Sequence, residues 1–250
     1  MSIAEKLVTI AENQQNVFDA GKKSEYDEFW DLFQDKGNRT EYSNAFWRGF
    51  TNVNFKPKYS MSPTVAANMF WGARIKGDLE QILKDCGVTL DFSKATDIRY
   101  LFSQCQFTVV PELDFTGCNT SSTANYSSVF GWNNAIETIR KVILPNDGSM
   151  GFNYWFSSAT NLKNITFEGT IGKTISFQNS TKLSKASIEN IVSCLSETAT
   201  GQTLTFSKTA VNSAFATSTG AADGSTSAEW IALITPKSNS YNGLWTISLV

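Results

Sequence analysis

Short apolar segments return at a regular spacing through the middle of the chain. The first set pairs two apolar residues across one intervening position: Leu90-Asp91-Phe92, Leu113-Asp114-Phe115, Val142-Ile143-Leu144 and Ile165-Thr166-Phe167. The steps are 23, 29 and 23 residues, and the long step contains the polar run 119–124, which we interpret as an inserted loop of six residues. One short strand per unit at a period of about 20–29 residues is typical of leucine-rich repeats.

A second set of apolar segments lies between the members of the first: Leu101-Phe102, Val129-Phe130, Trp155-Phe156 and Ile175-Ser176-Phe177. Each unit therefore holds a short strand, a polar turn and a second apolar anchor. Because such a unit cannot bury its apolar face alone, neighbouring units must stack on one another. The pattern predicts an α+β solenoid of irregular leucine-rich repeats over residues 63–183.

The beginning of the chain has helical rather than strand spacing, and we assign residues 1–34 to a helical attachment or coiled-coil segment. An a/d stripe with one polar member is formed by Ile3, Leu7, Ile10, Gln14 and Val17. Apolar residues at these alternating steps are the pattern of a coiled coil. The stripe is therefore predicted to mediate oligomerisation, for which we assume a trimer.

An aromatic stripe follows a polar joint at 21–24 and consists of Tyr26, Phe29, Trp30 and Phe33. Two interpretations fit it. In the first, the aromatic face folds back onto the chain's own repeats as a cap. In the second, it associates with other copies or docks into a larger assembly, and its place ahead of a joint favours this second interpretation.

Two further regions flank the predicted repeats. Residues 35–62 carry scattered aromatic residues without a period and are predicted to form an aromatic-rich connector. Residues 184–250 are predicted to form a C-terminal cap, in which Ser184 is the N-cap of an amphipathic helix that ends near Gly201. The rest of the cap consists of a strand at 204–206, short helices at 209–216 and 229–234 with a surface loop at 217–225 between them, and a final strand at 245–249. An atypical end unit of this kind closes the open core of a solenoid.

Composition limits the chemistry that the chain offers. It has 250 residues, a formal net charge of −2 and no histidine, which excludes Ser-His and Cys-His nucleophile pairs and His-ligated zinc. The nearest carboxylate pair, Asp91 and Asp114, is not continued in later repeats. No catalytic residue, metal or cofactor is therefore predicted. The net charge gives no indication of nucleic-acid binding, and no apolar run has the length of a membrane span.

Four cysteines remain as reactive groups: Cys86, Cys105, Cys118 and Cys194. Their spacings match no zinc-binding pattern. We expect reduced, structural thiols, because free cysteine behaves as a small hydrophobic residue when it is buried. A disulfide between Cys105 and Cys118 is the alternative.

Four aromatic residues fall in or beside the repeat turns, namely Tyr100, Trp132, Tyr154 and Trp155. Trp155 takes the place of an apolar anchor and is predicted to lie in the core. Trp132 lies in a polar turn, where an aromatic ring can stack on a sugar or contact a protein partner. A single exposed aromatic residue is also common without any function. Trp132 is the one predicted binding residue.

Several segments of the chain have a distinctive amino-acid sequence. The repeats contain Leu-Asp-Phe-Ser-Lys-Ala-Thr at 90–96, Leu-Phe-Ser-Gln-Cys at 101–105 and Asn-Leu-Lys-Asn-Ile-Thr-Phe-Glu-Gly at 161–169. The ends contribute 183–195, 204–212 and Trp245, and near the start 3–7, 20–23, 29–30, 37–40 and 55–59. The internal segments resemble BspA-type leucine-rich repeats, and the ends resemble proteins of this type that phages and prophages of gut Firmicutes encode.

The resemblance implies a non-catalytic phage virion protein, either a tail fibre or receptor-binding protein or a surface-exposed structural protein. It implies contacts with other virion proteins through the N-terminal helix and with a host surface glycan or protein through the repeats. Such a protein is made in the bacterial cytoplasm without a signal peptide and resides on the phage particle. The alternative is a bacterial cell-surface BspA-like adhesin, which the lack of a secretory signal at the start of this sequence argues against. A glycan hydrolase is the least favoured hypothesis, because no pair of carboxylates stands out as a candidate acid and base.

Overall fold

The computed structural model describes residues 23–216, 224–241 and 243–250, with side chains from residue 27 onward. The helices are α1 (Lys23–Phe33), α2 (Leu79–Asp85), α3 (Lys185–Ser193), α4 (Lys208–Phe215) and α5 (Ala228–Ile234). The strands are β1 (Lys76–Asp78), β2 (Gln106–Asp114), β3 (Thr138–Ile143), β4 (Asn164–Glu168), β5 (Ile175–Phe177), β6 (Thr203–Phe206) and β7 (Thr246–Leu249).

The strands form two parallel sheets, one in the order β1-β2-β3-β4 and one in the order β5-β6-β7. Because parallel neighbours need a crossover connection, each strand belongs to a separate coil of the chain, and successive coils stack. The structure thus shows parallel sheets, and the solenoid of leucine-rich repeats stays a prediction.

The register differs in part from the one that the sequence suggests. Leu113 pairs with Val142, as the repeat predicts. A bulge after Ile139 then shifts the next pair, so that Val142 lies opposite Phe167 rather than Ile165. The segment that begins at Leu90 is not a strand, and Leu90 forms only a single parallel bridge with Met61.

A second parallel ladder, made of turns, runs beside the first sheet. Its hydrogen bonds include Phe46 N–H to Met69 O at 2.8 Å, Phe70 N–H to Leu101 O at 2.9 Å and Phe102 N–H to Val129 O at 2.8 Å. Each turn has two residues of positive φ four positions apart: Asn44 and Arg48, Asn68 and Gly72, Tyr100 and Gln104, Ser128 and Trp132, and Tyr154 and Ser158. Because this conformation is uncommon outside glycine, its recurrence identifies equivalent turns in successive coils.

The interior contains a ladder of phenylalanine rings, one from each coil: Phe46, Phe70, Phe102, Phe130, Phe156, Phe177 and Phe206. Successive ring centroids are 4.4 to 5.8 Å apart, and the planes differ by 26° or less. The ladder joins both sheets into one buried core. It also crosses the predicted boundaries at residues 62 and 183.

The aromatic face of α1 packs on the chain's own core, so our preference for a partner-facing stripe is corrected for this part of the segment. Phe29, Trp30 and Phe33 are all buried. The Trp30 ring lies 5.7 Å from Phe50, and the Phe33 ring lies 5.6 Å from Phe46. The predicted oligomerisation residues lie outside the described residues: Ile3, Leu7, Ile10, Gln14 and Val17.

The predicted connector at 35–62 is part of the stacked coils. Parallel bridges join Glu41 to Val65, Thr51 to Arg74 and Met61 to Leu90. Its aromatic residues Tyr42, Phe46, Phe50 and Phe55 are buried. The lack of a period misled the sequence interpretation, because this coil pairs through turns and single bridges instead of a strand.

The C-terminal elements agree with the sequence in type and differ in length. Ser184 caps α3 by accepting a hydrogen bond from the Ser187 N–H at 3.3 Å, and the helix ends at Ser193 rather than near Gly201. Trp245 is fully buried, and its Nε1 donates to the Ser196 O at 2.9 Å. Most of the predicted surface loop, residues 217–223, lies outside the described residues. None of the described helices combines the length and apolar character that a membrane crossing needs.

Candidate binding surface

Five aromatic side chains form a continuous row on the outside of the turn ladder, and we term it the aromatic row: Trp47, Trp71, Tyr100, Trp132 and Tyr154. Adjacent ring centroids lie 5.3 to 6.5 Å apart. Trp47, Trp132 and Tyr154 are 43%, 47% and 70% exposed, and the other two rings are half-buried. The row therefore combines mutual stacking with access to solvent.

The turn ladder explains why these rings meet. In the first two coils, the core anchors Phe46 and Phe70 are each followed directly by a row member, so neighbouring residues serve the inside and the outside of the same turn. In later coils, the row members occupy left-handed positions, with φ of 53° at Tyr100, 50° at Trp132 and 58° at Tyr154. Parallel stacking of the coils then places each ring beside the next.

The row has two parts with different electrostatics. The rings of Trp47 and Trp71 are stacked and almost parallel, with 3° between their planes. The Arg48 guanidinium lies 5.4 Å from the Trp47 centroid and 5.7 Å from the Trp71 centroid. A cation at this distance is attracted by the ring faces. Gly72 provides space for that side chain, because a Cβ there would lie 3.1 Å from the Arg48 Cγ.

The second part of the row is Tyr100, Trp132 and Tyr154, stacked with 12° and 17° between successive planes. Between Trp71 and Tyr100 the planes tilt by 43°, which separates the two parts. Among the described residues, no arginine or lysine lies over a ring of the second part. The second part is therefore a platform of uncharged aromatic side chains.

The structure places the predicted binding residue, Trp132, in the middle of the second part. It brings together Tyr100 and Tyr154, which the sequence had singled out, whereas Trp155 is buried in the core as predicted. A binding role for Trp132 stays a prediction. Sequence reasoning missed Trp47 and Trp71, because the signal that they share, a tryptophan directly after a phenylalanine, is not part of the strand repeat.

A cleft lies at the end of the row, and we term it the end cleft. Tyr154 forms part of its wall, and the cavity is about 390 Å³. Its polar lining residues are Asn153, Ser157, Thr174, Ser176, Gln178, Asn179 and Thr205. No aspartate, glutamate, lysine or arginine lines it. The end cleft thus joins an aromatic ring to uncharged amide and hydroxyl groups.

The cysteines and carboxylates have structural surroundings. All four cysteines are free, so the Cys105–Cys118 disulfide is not formed. Burial raises the pKa of both Cys105 and Cys118 to about 12, which keeps these thiols protonated at neutral pH. The Asp91 and Asp114 carboxylates each accept the N–H of the residue two positions later, as turn-forming aspartates do.

Within the described ranges, no group of histidine, cysteine and carboxylate side chains has the arrangement of a metal site. The aromatic row and the end cleft consist of stacked rings, one arginine and neutral polar groups. Comparison of the chain with protein-family models, with curated proteins and with solved structures finds no match.

Proposed function

We propose that the chain is a non-catalytic binding protein built as a leucine-rich-repeat solenoid, and that it serves on a phage particle to contact the host surface. The phage assignment rests on the resemblance of the repeats and both ends. The binding role rests on one observation, the aromatic row, which crosses five successive coils. The parallel pairing of successive coils supports the solenoid.

The physical case for binding is the combination of ring area, exposure and order. Tryptophan, tyrosine and arginine are the residues that contribute most to binding energy at protein interfaces. The row consists of the first two, and Arg48 lies against one end. Stacking on neighbouring rings holds each side chain in place, so little conformational entropy remains to be lost on binding.

The proposed function involves no chemical reaction. Aromatic rings and a guanidinium supply contact area and charge, but neither a nucleophile nor a general base. The function is instead one of display, in which several copies each make a modest contact. If the stripe from Ile3 to Val17 assembles the chain, the combined avidity exceeds that of one copy by about 10²–10⁴-fold.

The experiment measures binding of the fluorescently labelled full chain to a panel of intact gut bacteria. Trp132→Ala removes the central ring, and Tyr241→Ala is the matched control, because Tyr241 is 43% exposed and lies outside the row. We expect strain-selective binding that Trp132→Ala weakens about tenfold, the loss of one good contact of about 1.4 kcal/mol. Circular dichroism checks that both variants are folded.

Two results contradict the proposal. One is that the chain binds to none of the strains, which leaves the row without a host ligand. The other is an equal loss of binding in Trp132→Ala and Tyr241→Ala, which shows that contact is not made through the row.

A further inference from the structure

The row ends at Tyr154, and this last ring differs from the others. Trp132 stacks against it with centroids 6.3 Å apart, while the structure places no described ring on its other side. It is the most exposed member of the row, at 70%. Tyr154 therefore offers a free aromatic face beside the end cleft.

Three side-chain amides of the end cleft are available to a ligand. Asn153 and Gln178 are exposed, and Asn179 is half-buried. Within the described parts of the chain, the side-chain amides of these three residues make no hydrogen bond. Each amide carries both a donor and an acceptor, and the Ser157 and Ser176 hydroxyls add groups of the same dual character.

Charge distinguishes this cleft from another cavity of the described surface. A cavity of similar size, also about 390 Å³, is lined by Asp147, Glu197 and Lys237 among others. In that cavity the Lys237 ammonium is already held by the Leu195 O at 2.8 Å and the Glu197 carboxylate at 3.3 Å. No charged side chain lines the end cleft, so its lining offers no ion-pair partner to a charged ligand.

We infer that the end cleft binds a neutral glycan. This inference rests on the proposed host-binding function and names its ligand class. A sugar ring has an apolar face of C–H groups and a rim of hydroxyls that both donate and accept. The apolar face of the sugar can stack on the free face of the Tyr154 ring. The hydroxyls of the sugar can exchange hydrogen bonds with the side-chain amides of Asn153, Gln178 and Asn179. The volume of the end cleft lies in the range of small-ligand sites.

The test is an array of immobilised neutral oligosaccharides of glucose, galactose, rhamnose and N-acetylglucosamine, with sialylated, sulfated and uronic-acid oligosaccharides beside them. The full chain is applied together with Tyr154→Ala, Tyr154→Phe, Gln178→Ala and the control Thr160→Ala. Gln178 is exposed, so its variant reports on the cleft even if Tyr154→Ala disturbs the turn.

We expect the full chain to bind neutral oligosaccharides. Tyr154→Ala and Gln178→Ala should each lower the signal at least tenfold. Tyr154→Phe keeps the ring and should retain binding, and Thr160→Ala lies outside the cleft and should leave the signal unchanged. Binding to anionic oligosaccharides alone, or to none, overturns the inference, and so does an equal loss in the control.

A second arm separates this inference from the host-binding function. Cells of a bound strain are treated with proteinase, which removes surface proteins, or with periodate, which oxidises vicinal diols of sugars. Binding that survives proteinase and is lost after periodate supports the glycan. Binding lost after proteinase, with an empty array, keeps the host-binding function and overturns the glycan. Array binding without binding to any strain supports the glycan and contradicts the host role.

Discussion

Asn190 completes the hydrogen bonding of Phe167 at the edge of the first sheet. Its Oδ1 accepts a hydrogen bond from the Phe167 N–H at 2.7 Å, and its Nδ2 donates one to the Phe167 O at 3.1 Å. One turn earlier in α3, the Ser187 Oγ accepts from the Ile165 N–H at 2.9 Å. Side chains of α3 thus take the place of a further strand, and the sheet ends at β4 without an open edge.

The first prediction concerns this edge. Asn190→Ala leaves the N–H and C=O of Phe167 without these partners, so we expect the free energy of unfolding to fall by about 1–3 kcal/mol. Urea denaturation followed by tryptophan fluorescence measures the change. Glu189→Ala, one position earlier on the same helix, is the control and should change stability by less than about 0.5 kcal/mol. Similar losses in both variants would show that the effect belongs to the helix and not to the edge.

The sequence predicted those parts of the fold that have a repeating apolar signal. Leu113, Val142 and Phe167 lie on paired parallel strands, since two inward side chains per strand leave a visible alternation. The contact between Asn190 and Phe167 leaves no such alternation in the sequence. It involves a single polar side chain and a backbone N–H 23 positions away, so no residue pattern repeats. Side-chain contacts that close a sheet edge in this way can therefore be identified only from the structure.

The same distinction applies to the candidate site. Trp132 could be found because it stands in a recognisable turn after a strand repeat. Trp47 could not, because its coil pairs through the turn ladder and single bridges, so residues 35–62 carry no strand pattern. The end cleft was also beyond the sequence, since Asn153 and Gln178 meet only after the coils have stacked.

The second prediction concerns the phenylalanine ladder. Phe102 is fully buried between Phe70 and Phe130, with centroids 5.3 and 5.8 Å away. Phe102→Ala opens a cavity in the middle of the ladder and should lower the free energy of unfolding by about 3–5 kcal/mol. Phe102→Leu keeps more of the volume and should cost clearly less. Chemical denaturation of both variants tests this, and a loss below about 1 kcal/mol for the alanine variant would mean that the ladder contributes little to stability.

The third prediction is a loss of stability at high pH. The thiols of Cys105 and Cys118 have a folded-state pKa of about 12, because burial disfavours the thiolate, against an ordinary value of 9.0. Below pH 9 both states keep the protons, and the stability from this source is fully present. Between pH 9 and 12 only the unfolded state loses them, so stability should fall by up to about 1.4 kcal/mol per pH unit for each thiol.

Urea denaturation at pH 8, 9, 10 and 10.5 measures this slope. The comparison protein carries Cys105→Ala and Cys118→Ala together, so its stability should fall less steeply above pH 9, whatever its stability at pH 8. Identical slopes for the two proteins would mean that these thiols ionise as easily in the folded state as in the unfolded one.

The last prediction separates assembly from folding at the N-terminus. Removing residues 1–22 deletes the stripe from Ile3 to Val17 but leaves α1 and its contacts in place. We expect this truncated chain to stay folded, with an unchanged melting temperature, and to sediment as a monomer where the full chain sediments as an oligomer. Removing residues 1–34 also takes Trp30 and Phe33 away from the core and should lower the melting temperature. Sedimentation velocity and thermal unfolding of the three chains measure the two effects separately. An oligomer that persists without residues 1–22 would place the association surface in the stacked coils, whereas a full chain that is itself monomeric would remove the coiled coil and its avidity from the proposed function.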